Sequence, residues 1–337
     1  MSATPTVTVL MTLYNKGPYV EEAVHSVLAQ TFADFQLLIV DDASTDGGLD
    51  KVKAILDPRI RILESAVNTG RAAAANRGLD AATGDYIAVL DADDTMHPAR
   101  LAKQVAYLEA HPGVGAVGSW ACVLHAPQQL VRWPADDGHC RALMLFGVPV
   151  SYGLGLLRRS TVEQHRLRCD AQWRTPGMDY LFMLQIGRHA CYANLQEPLC
   201  AYRMGANNMR HGRDERDDWR LLVHETFRFF GLPASAEELE LHLAFHGQWA
   251  EPFNAGRTRQ LWAWKNKLAA LARERGLFSG ALFEAELDRR WGRLFHRFAD
   301  HDLGAAWAHL RCSGQWPADR LMYLLKTTLS RWGGRKR

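Results

Sequence analysis

What the chain lacks narrows its class first. Its six cysteines (Cys122, Cys140, Cys169, Cys191, Cys200 and Cys312) are scattered and form no C-x-x-C pair. That pattern argues against a zinc site or a disulfide framework and for reduced thiols. No Gly-Lys-Ser/Thr triplet occurs, so there is no P-loop to hold a triphosphate. No apolar run approaches the length of a membrane-spanning helix. A basic segment followed by an apolar one, the mark of a signal peptide, is missing at the N-terminus, and the expected location is cytoplasmic. Charge of one sign is also scarce: 40 Lys and Arg stand against 37 Asp and Glu, a formal net charge of +3. So small an excess gives no reason to expect nucleic-acid binding. There is no internal repeat and no low-complexity tract.

What remains is an ordinary globular composition, 47% hydrophobic and 23% charged over 337 residues, enough for roughly two domains. Within it one stretch stands out. Tyr86-Ile87-Ala88-Val89-Leu90, opened by Gly84-Asp85, reads as a strand buried on both faces. It runs straight into Asp91-Ala92-Asp93-Asp94, three carboxylates within four residues. Folding alone gives no reason for such clustering, since like charges repel. With the strand extended through Asp93, Asp91 and Asp93 would point to one side. Paired hard oxygen ligands there suit Mg²⁺ or Mn²⁺ shared with a substrate phosphate. The alternative is an acidic turn in which Asp94 or Thr95 caps a helix beginning near Pro98. A calcium-binding EF-hand loop is excluded, because Met96 and Ala102 occupy the positions that need Gly and Glu.

The rest of the first half alternates strand and helix. Val7 to Leu13 reads as a buried strand ending at Tyr14-Asn15, and Tyr19 to Gln30 as a helix with Val20, Ala23, Val24, Val27 and Leu28 on one face. Phe35 to Val40 is a second strand, also ending in paired acids, Asp41 and Asp42. Ser44-Thr45-Asp46-Gly47 turns into a short helix through Leu56, Arg59 to Leu63 is a third strand, and Arg71 to Ala82 a helix by propensity. Such alternation predicts a mostly parallel sheet flanked by helices. Ligands in these folds bind beyond the carboxyl ends of the strands, where both acidic clusters and Asn15 fall. Pro98 to His111 reads as a helix, Gly115 to Leu124 as a strand, Trp133 to Gly138 as a loop and Ser151 to Leu157 as another strand. Gly113 to Gly118 spells a dinucleotide-binding pattern, but it follows a helix and enters a strand, the wrong context.

Taken in order, a strand ending in Tyr14-Asn15, then Val40-Asp41-Asp42-Ala43-Ser44-Thr45-Asp46, then Leu90-Asp91-Ala92-Asp93-Asp94 resembles the family 2 glycosyltransferases. Asn68-Thr69-Gly70, Asn76-Arg77-Gly78 and Gly84-Asp85-Tyr86 are similar to that family's connecting pattern. The resemblance covers about the first third of the chain and implies a GT-A fold, Rossmann-like, over residues 1–212. It implies transfer of a sugar from a nucleotide-diphosphate donor, a UDP-sugar before others, to an acceptor hydroxyl. The helical region that follows, with its basic tail, suggests by analogy a large acceptor, a glycan or lipid-linked glycan. Asp42 would then accept from the pyrimidine base in preference to Asp41, with Thr12 and Tyr14 flanking it. Asp91 and Asp93 would hold the divalent cation that assists departure of the diphosphate. Arg71 and Arg77 are candidate phosphate or acceptor contacts, or solvated helix arginines. Asp179, in Gly177-Met178-Asp179-Tyr180 at the start of an apolar helix, is the candidate catalytic base for a single inverting displacement. A simple complement to the helix dipole is its other reading. The sequence departs from the family pattern at Met178, where Glu is frequent, and at Gly205, where a histidine often follows Arg203; His211 is the next imidazole.

From about residue 213 strand signals vanish. Glu215 to Phe230, Ser235 to Ala250, Arg257 to Arg275, Phe278 to Ala299 and Asp319 to Trp332 all read as helices, an all-helical region over 213–337. Leu321, Leu325, Leu329 and Trp332 form a stripe in a segment where no acid follows Asp319. That stripe either packs on the preceding helices or lies at an anionic membrane surface. Two other functions stay open at this stage, a nucleotidyl- or phosphoryl-transferring enzyme and an inactive nucleotide-binding protein.

Overall fold

The computed structural model describes residues 4–173, 175–204, 214–249 and 252–333. Backbone contacts divide the chain into two compact units, Met1–Arg213 and Asp214–Arg337. The first is an α/β unit. Its opening half runs β1 (Val7–Leu13), α1 (Val20–Leu28), β2 (Phe35–Asp41), α2 (Gly48–Ala54), β3 (Ile60–Glu64), α3 (Arg71–Ala81) and β4 (Tyr86–Val89). The second half runs β5 (Thr95–Met96), α4 (Arg100–Ala110), β6 (Val114–Val123), β7 (Ala126–Val131), α5 (Asp137–Leu143), a 3-10 turn (Tyr152–Leu154), β8 (Leu156–Arg158), α6 (Arg159–Gln164), α7 (Met178–Ile186) and β9 (Cys191–Tyr202).

These nine described strands form one mixed sheet in the order β3-β2-β1-β4-β8-β6-β9-β5, with β7 alongside β6. The first four pair in parallel, and the centres of β1, β2 and β4 are buried on both faces, which is why they read as aliphatic-rich runs, whereas the edge strand β3 is only half-buried. Register brings three strand ends together. Leu13 pairs with Asp41 and Leu10 with Val89, so β1, β2 and β4 end side by side. Close packing at the opposite end has its own demand: a Cβ on Gly84 would lie 2.6 Å from the Thr8 backbone nitrogen, and only glycine fits.

Several elements have no readable pattern in the sequence, for physical reasons. β7 carries Pro127 and two glutamines, and it pairs with β6 through a turn in which His125 has φ 68°. Pro198, with Gln196 and Glu197 before it, interrupts the pattern of β9, and register shifts mark the same place. Helices α5 and α6 are only seven and six residues long, too short to show a period. Gly113-x-Gly115 leads into β6, as its context implied.

The second unit contains α8 (Glu215–Phe230), α9 (Ala236–His242), α10 (Ala255–Glu274), α11 (Gly280–His301), α12 (Leu303–Ser313) and α13 (Ala318–Gly333). Its helix ends are written in local chemistry. Ser235 and Glu238 form a reciprocal capping box, Asn254 and Asp302 accept from the first turns of α10 and α12, and Gly231 and Gly314 close helices at positive φ. The core is aromatic, with Trp264, Phe283, Trp291, Phe295 and Phe298 all buried. α12 carries only a weak periodic signal in the sequence, because its buried apolar positions are mostly alanines. No described helix is long and apolar enough to cross a membrane.

Candidate active site

The site is built at the carboxyl ends of β1, β2 and β4. At the end of β1, Thr12 is half-buried and Tyr14 exposed. Asn15 takes φ 50°, which its short side chain tolerates, and turns its amide to the next loop. There it accepts from the Thr45 N–H at 2.9 Å, while its own N–H donates to Ser44 Oγ at 3.2 Å. Asp46 accepts from the N–H groups of Gly17 (2.6 Å) and Gly48 (3.0 Å). The loops after β1 and β2 are thus stitched together, and Asp46 is consumed in the stitching.

Asp41 and Asp42 are both buried. Asp42 Oδ1 accepts from the N–H and hydroxyl of Thr69 (2.8 and 2.7 Å), and Oδ2 from the Gly70 N–H at 2.8 Å. The Asn68 side chain donates to the Asp42 carbonyl at 3.2 Å. Asp41 is less satisfied: Oδ2 accepts from Ser44 N at 3.2 Å, and buried Oδ1 has no hydrogen-bond partner among the described residues.

The acids after β4 are arranged differently from the expectation. The strand ends at Val89, and the Asp94 N–H donates to the Asp91 carbonyl at 3.0 Å, so Asp91–Asp94 is a turn and not extended chain. Neither Asp94 nor Thr95 caps a helix: α4 starts at Arg100 behind Ala99, and Thr95-Met96 forms β5 against β9. Asp94 is instead buried and accepts from the Arg203 N–H at 2.8 Å. Burial, with the charge of Asp91 added, pushes its carboxyl up to about 8. Arg203 also donates from Nε to the Asp93 carbonyl at 2.8 Å, pairs with Glu22 and lies 4.5 Å over the Tyr19 ring.

Cations meet the two remaining acids. Lys16 Nζ is ion-paired with Asp93, and Arg71, the first residue of α3, lies 3.2 Å from Asp91 Oδ1. Arg71 is held firmly in its charged form, first by Asp91 and then, after the opposing cost of burial, by Asp179. Asp179 therefore belongs to the same electrostatic cluster. It sits in the first turn of α7, behind Gly177 at φ 106°. Tyr152 completes the surroundings: its ring meets Phe182 edge-on at 5.4 Å, and its buried hydroxyl has no hydrogen-bond partner among the described residues. Burial raises this phenol well above its ordinary range, and the charges of Arg71, Asp91 and Asp179 all act on it. Arg77 is occupied elsewhere, donating to the Glu64 carbonyl at 3.1 Å and to Ser65 Oγ.

Of the residues named from the sequence, the structure brings Arg71, Asp91 and Asp179 into one electrostatic cluster, with Asp93 on the same turn as Asp91 and Asp42 bonded to Thr69 and Gly70. Lys16, Arg203 and Tyr152, which meet these acids or their turn, are not singled out by the sequence pattern. Lys16 follows directly on Tyr14-Asn15, a cation at a strand end that carried a readable signal. Nothing local announces Tyr152, and Arg203 is paired with an acid turn 109 positions away. Gly205 and His211 lie outside the described residues. No group of three or more His, Cys, Asp or Glu forms a ready metal cage among the described residues. Asp91 and Asp93 nonetheless fit Mg²⁺ or Mn²⁺, which commonly take one or two carboxylates plus water and substrate phosphate.

Residues 8–132 match Glycosyl transferase family 2. The N-terminal unit carries a family 2 glycosyltransferase domain. Its sheet and flanking helices follow the GT-A arrangement: the crystal structure of S. aureus TarS in complex with UDP-GlcNAc superposes with TM-score 0.58 at 16% identity, covering 87% of this chain and 91% of that one. The mannosyltransferase PcManGT from Pyrobaculum calidifontis, in complex with GDP-Man and Mn²⁺, gives TM-score 0.50 at 18% identity over 97% of this chain and 85% of its own. Among curated relatives, the succinoglycan biosynthesis protein ExoO of Rhizobium meliloti is 31% identical over 191 residues, 53% of this chain and 55% of that protein. The chain thus spans about half the length of that relative.

Proposed function

We propose that the protein is an inverting glycosyltransferase that moves a sugar from a nucleotide-diphosphate donor to a hydroxyl of a glycan or lipid-linked glycan in surface polysaccharide synthesis. A UDP-sugar is the favoured donor. The observation that carries the reading is the convergence of Asp91, Arg71 and Asp179 on one electrostatic cluster at the strand ends.

Asp179 acts as general base, taking the proton of the acceptor hydroxyl as its oxygen attacks the anomeric carbon. The bond to the diphosphate breaks on the opposite side, so a single displacement inverts the configuration. Arg71 orients Asp91 and supplies positive charge where the leaving diphosphate gains negative charge. Asp91 and Asp93 would hold Mn²⁺ or Mg²⁺, which when bound supplies Lewis-acid stabilisation of that leaving group. Base recognition falls to Asp42. A carboxylate offers about four acceptor directions, and the three hydrogen bonds from Thr69 and Gly70 leave room for one imide N–H. Thr12 and Tyr14 flank the base, and the buried Oδ1 of Asp41 is a second acceptor nearby. The UDP-GlcNAc bound to TarS supports a uridine donor, the Mn²⁺ of PcManGT supports the cation, and ExoO supports a polysaccharide product.

The test is thermal stabilisation by UDP, GDP, CDP and dTDP with and without Mn²⁺, in the wild type and in Asp179→Asn. A ligand bound only by the native state raises Tm. A Mn²⁺-dependent shift with UDP in both proteins, alongside turnover reduced about 10²- to 10⁴-fold in Asp179→Asn, is expected. Full turnover in Asp179→Asn removes Asp179 from the mechanism. If no nucleotide shifts Tm, the donor assignment fails.

A further inference from the structure

The second unit presents an apolar face on the wrong side of a helix. Along α13, Leu324 is 2% exposed and packs inward, flanked by half-buried Thr327 and Thr328. Both hydroxyls turn back on the helix, donating to the carbonyls of Tyr323 (2.9 Å) and Leu324 (2.8 Å). The opposite side carries Met322, Leu325 and Leu329, exposed by 59%, 64% and 62%. At about 100° per residue these three fall within about 60° of one another, with the exposed Lys326 at their edge. Two more exposed apolar residues lie close in sequence. Trp316 precedes the helix and Trp307 lies on α12, their rings 6.1 Å apart. Five of the twelve large hydrophobic residues exposed among the described residues thus fall between 307 and 329.

Charge identifies what such a face meets. Between residues 303 and 333 the chain carries Arg311, Arg320, Lys326 and Arg331 against one acid, Asp319. Arg320 packs over the Phe295 ring and donates to the Gly292 carbonyl, so the exposed cations placed with the apolar residues are Arg311, one turn after Trp307, and Lys326. Pairing with a second copy would bring like-charged surfaces together, which is unfavourable. An uncharged apolar partner would leave the cations unused. An anionic lipid surface takes both: apolar side chains enter the boundary, Trp rings sit at the headgroup level, and basic residues meet the lipid phosphates.

We propose that α13, with Trp307 and Trp316, docks the protein peripherally on an anionic lipid bilayer. This holds whichever donor the other unit uses. Three aliphatic side chains alone give weak, reversible insertion, so electrostatic attraction is needed as the second signal.

The experiment is co-sedimentation of the full chain with phosphatidylcholine vesicles, with and without phosphatidylglycerol, at low and high salt. Wild type is expected on phosphatidylglycerol vesicles at low salt, little on phosphatidylcholine alone, and less at high salt. Leu325→Glu/Leu329→Glu should lower partitioning by about tenfold or more, and Lys326→Glu by about fivefold or more. Neither should change Tm or the shift produced by UDP with Mn²⁺, since the substituted side chains are exposed. Absence of wild-type binding, or equal binding by Leu325→Glu/Leu329→Glu, overturns the proposal. So does sedimentation showing a lipid-free wild-type dimer that Leu325→Glu/Leu329→Glu converts to monomer, which would make the face a self-association surface. Loss of the UDP shift in every protein would instead count against the donor assignment and leave the docking result standing.

Discussion

The acidic turns after β2 and β4 solve the same problem, packed like charges, by opposite means. Asp42 is neutralised by fixed neutral donors, the Thr69 hydroxyl and the backbone N–H groups of Thr69 and Gly70. Asp91 and Asp93 are neutralised by the charged ends of two long side chains, Arg71 and Lys16. Backbone donors cannot leave without unmaking the loop, whereas long side chains can swing aside. Under the proposed function, the first turn would serve as a fixed recognition surface, and the second would exchange partners when a metal ion and a diphosphate arrive.

The sharpest way to break this contrast is to remove one acid from each turn. Asp93→Ala should abolish the Mn²⁺-dependent part of the UDP thermal shift while leaving the stability of the free protein nearly unchanged, since a partly exposed ion pair contributes little. Asp42→Ala should do the reverse to the free protein, lowering unfolding free energy by about 1–3 kcal/mol because the loop donors lose their acceptor. Urea unfolding of both variants measures this. Equal destabilisation by the two substitutions would mean that both turns are merely structural.

A third buried polar arrangement, in the helical unit, extends the comparison to pH. His309 is buried, stacks on Trp291 at 4.3 Å and shares a hydrogen bond with the Trp291 carbonyl at 2.8 Å. Burial pushes its imidazole down to about 4 from an ordinary 6.5. Here the solution is to carry no charge at all. The unfolded chain then binds a proton that the folded chain refuses, so stability is full above pH 6.5 and is lost as pH falls towards 4. Between pH 7 and pH 5 the loss amounts to about 2 kcal/mol, and half-buried His246, whose pKa is also lowered by desolvation, acts in the same direction. His309→Phe should flatten part of that slope in urea titrations at the two pH values. An unchanged slope would show that His309 is not its source.

These contrasts bear on what the sequence could reveal. β1, β2 and β4 were legible because burial on both faces demands aliphatic-rich runs, and Val7–Leu13 is read to the residue. Asp91, Asp93 and Asp179 were legible as charges where apolar segments begin or end. What holds them was not. Arg203 reaches Asp94 from the far end of β9, a strand whose alternation Pro198 breaks. Tyr152 reaches the cluster from a three-residue 3-10 turn with no period to read. The same limit applied to the stripe on α13. Periodicity identified Leu325 and Leu329 as sharing a face, but only the packing of Leu324 on the other side shows that this face points outward.

The smallest effect tests the exchange idea most directly. If Lys16 keeps a place for a metal ion, then Mn²⁺ must displace it from Asp93, and the cost of that displacement weakens binding of the ion by itself. Lys16→Met removes the competitor. The pair is partly exposed, 24% at Lys16 and 13% at Asp93, so its worth is at most about 1 kcal/mol, or about a fivefold change in affinity. Mn²⁺ titration followed by electron paramagnetic resonance, without nucleotide, should therefore show tighter binding by up to about fivefold in the variant. With UDP present the gain should shrink, because a released Lys16 can meet the diphosphate and recover the lost pairing. Unchanged Mn²⁺ affinity without nucleotide would make Lys16 a static brace of the turn, no more exchangeable than the N–H groups around Asp42.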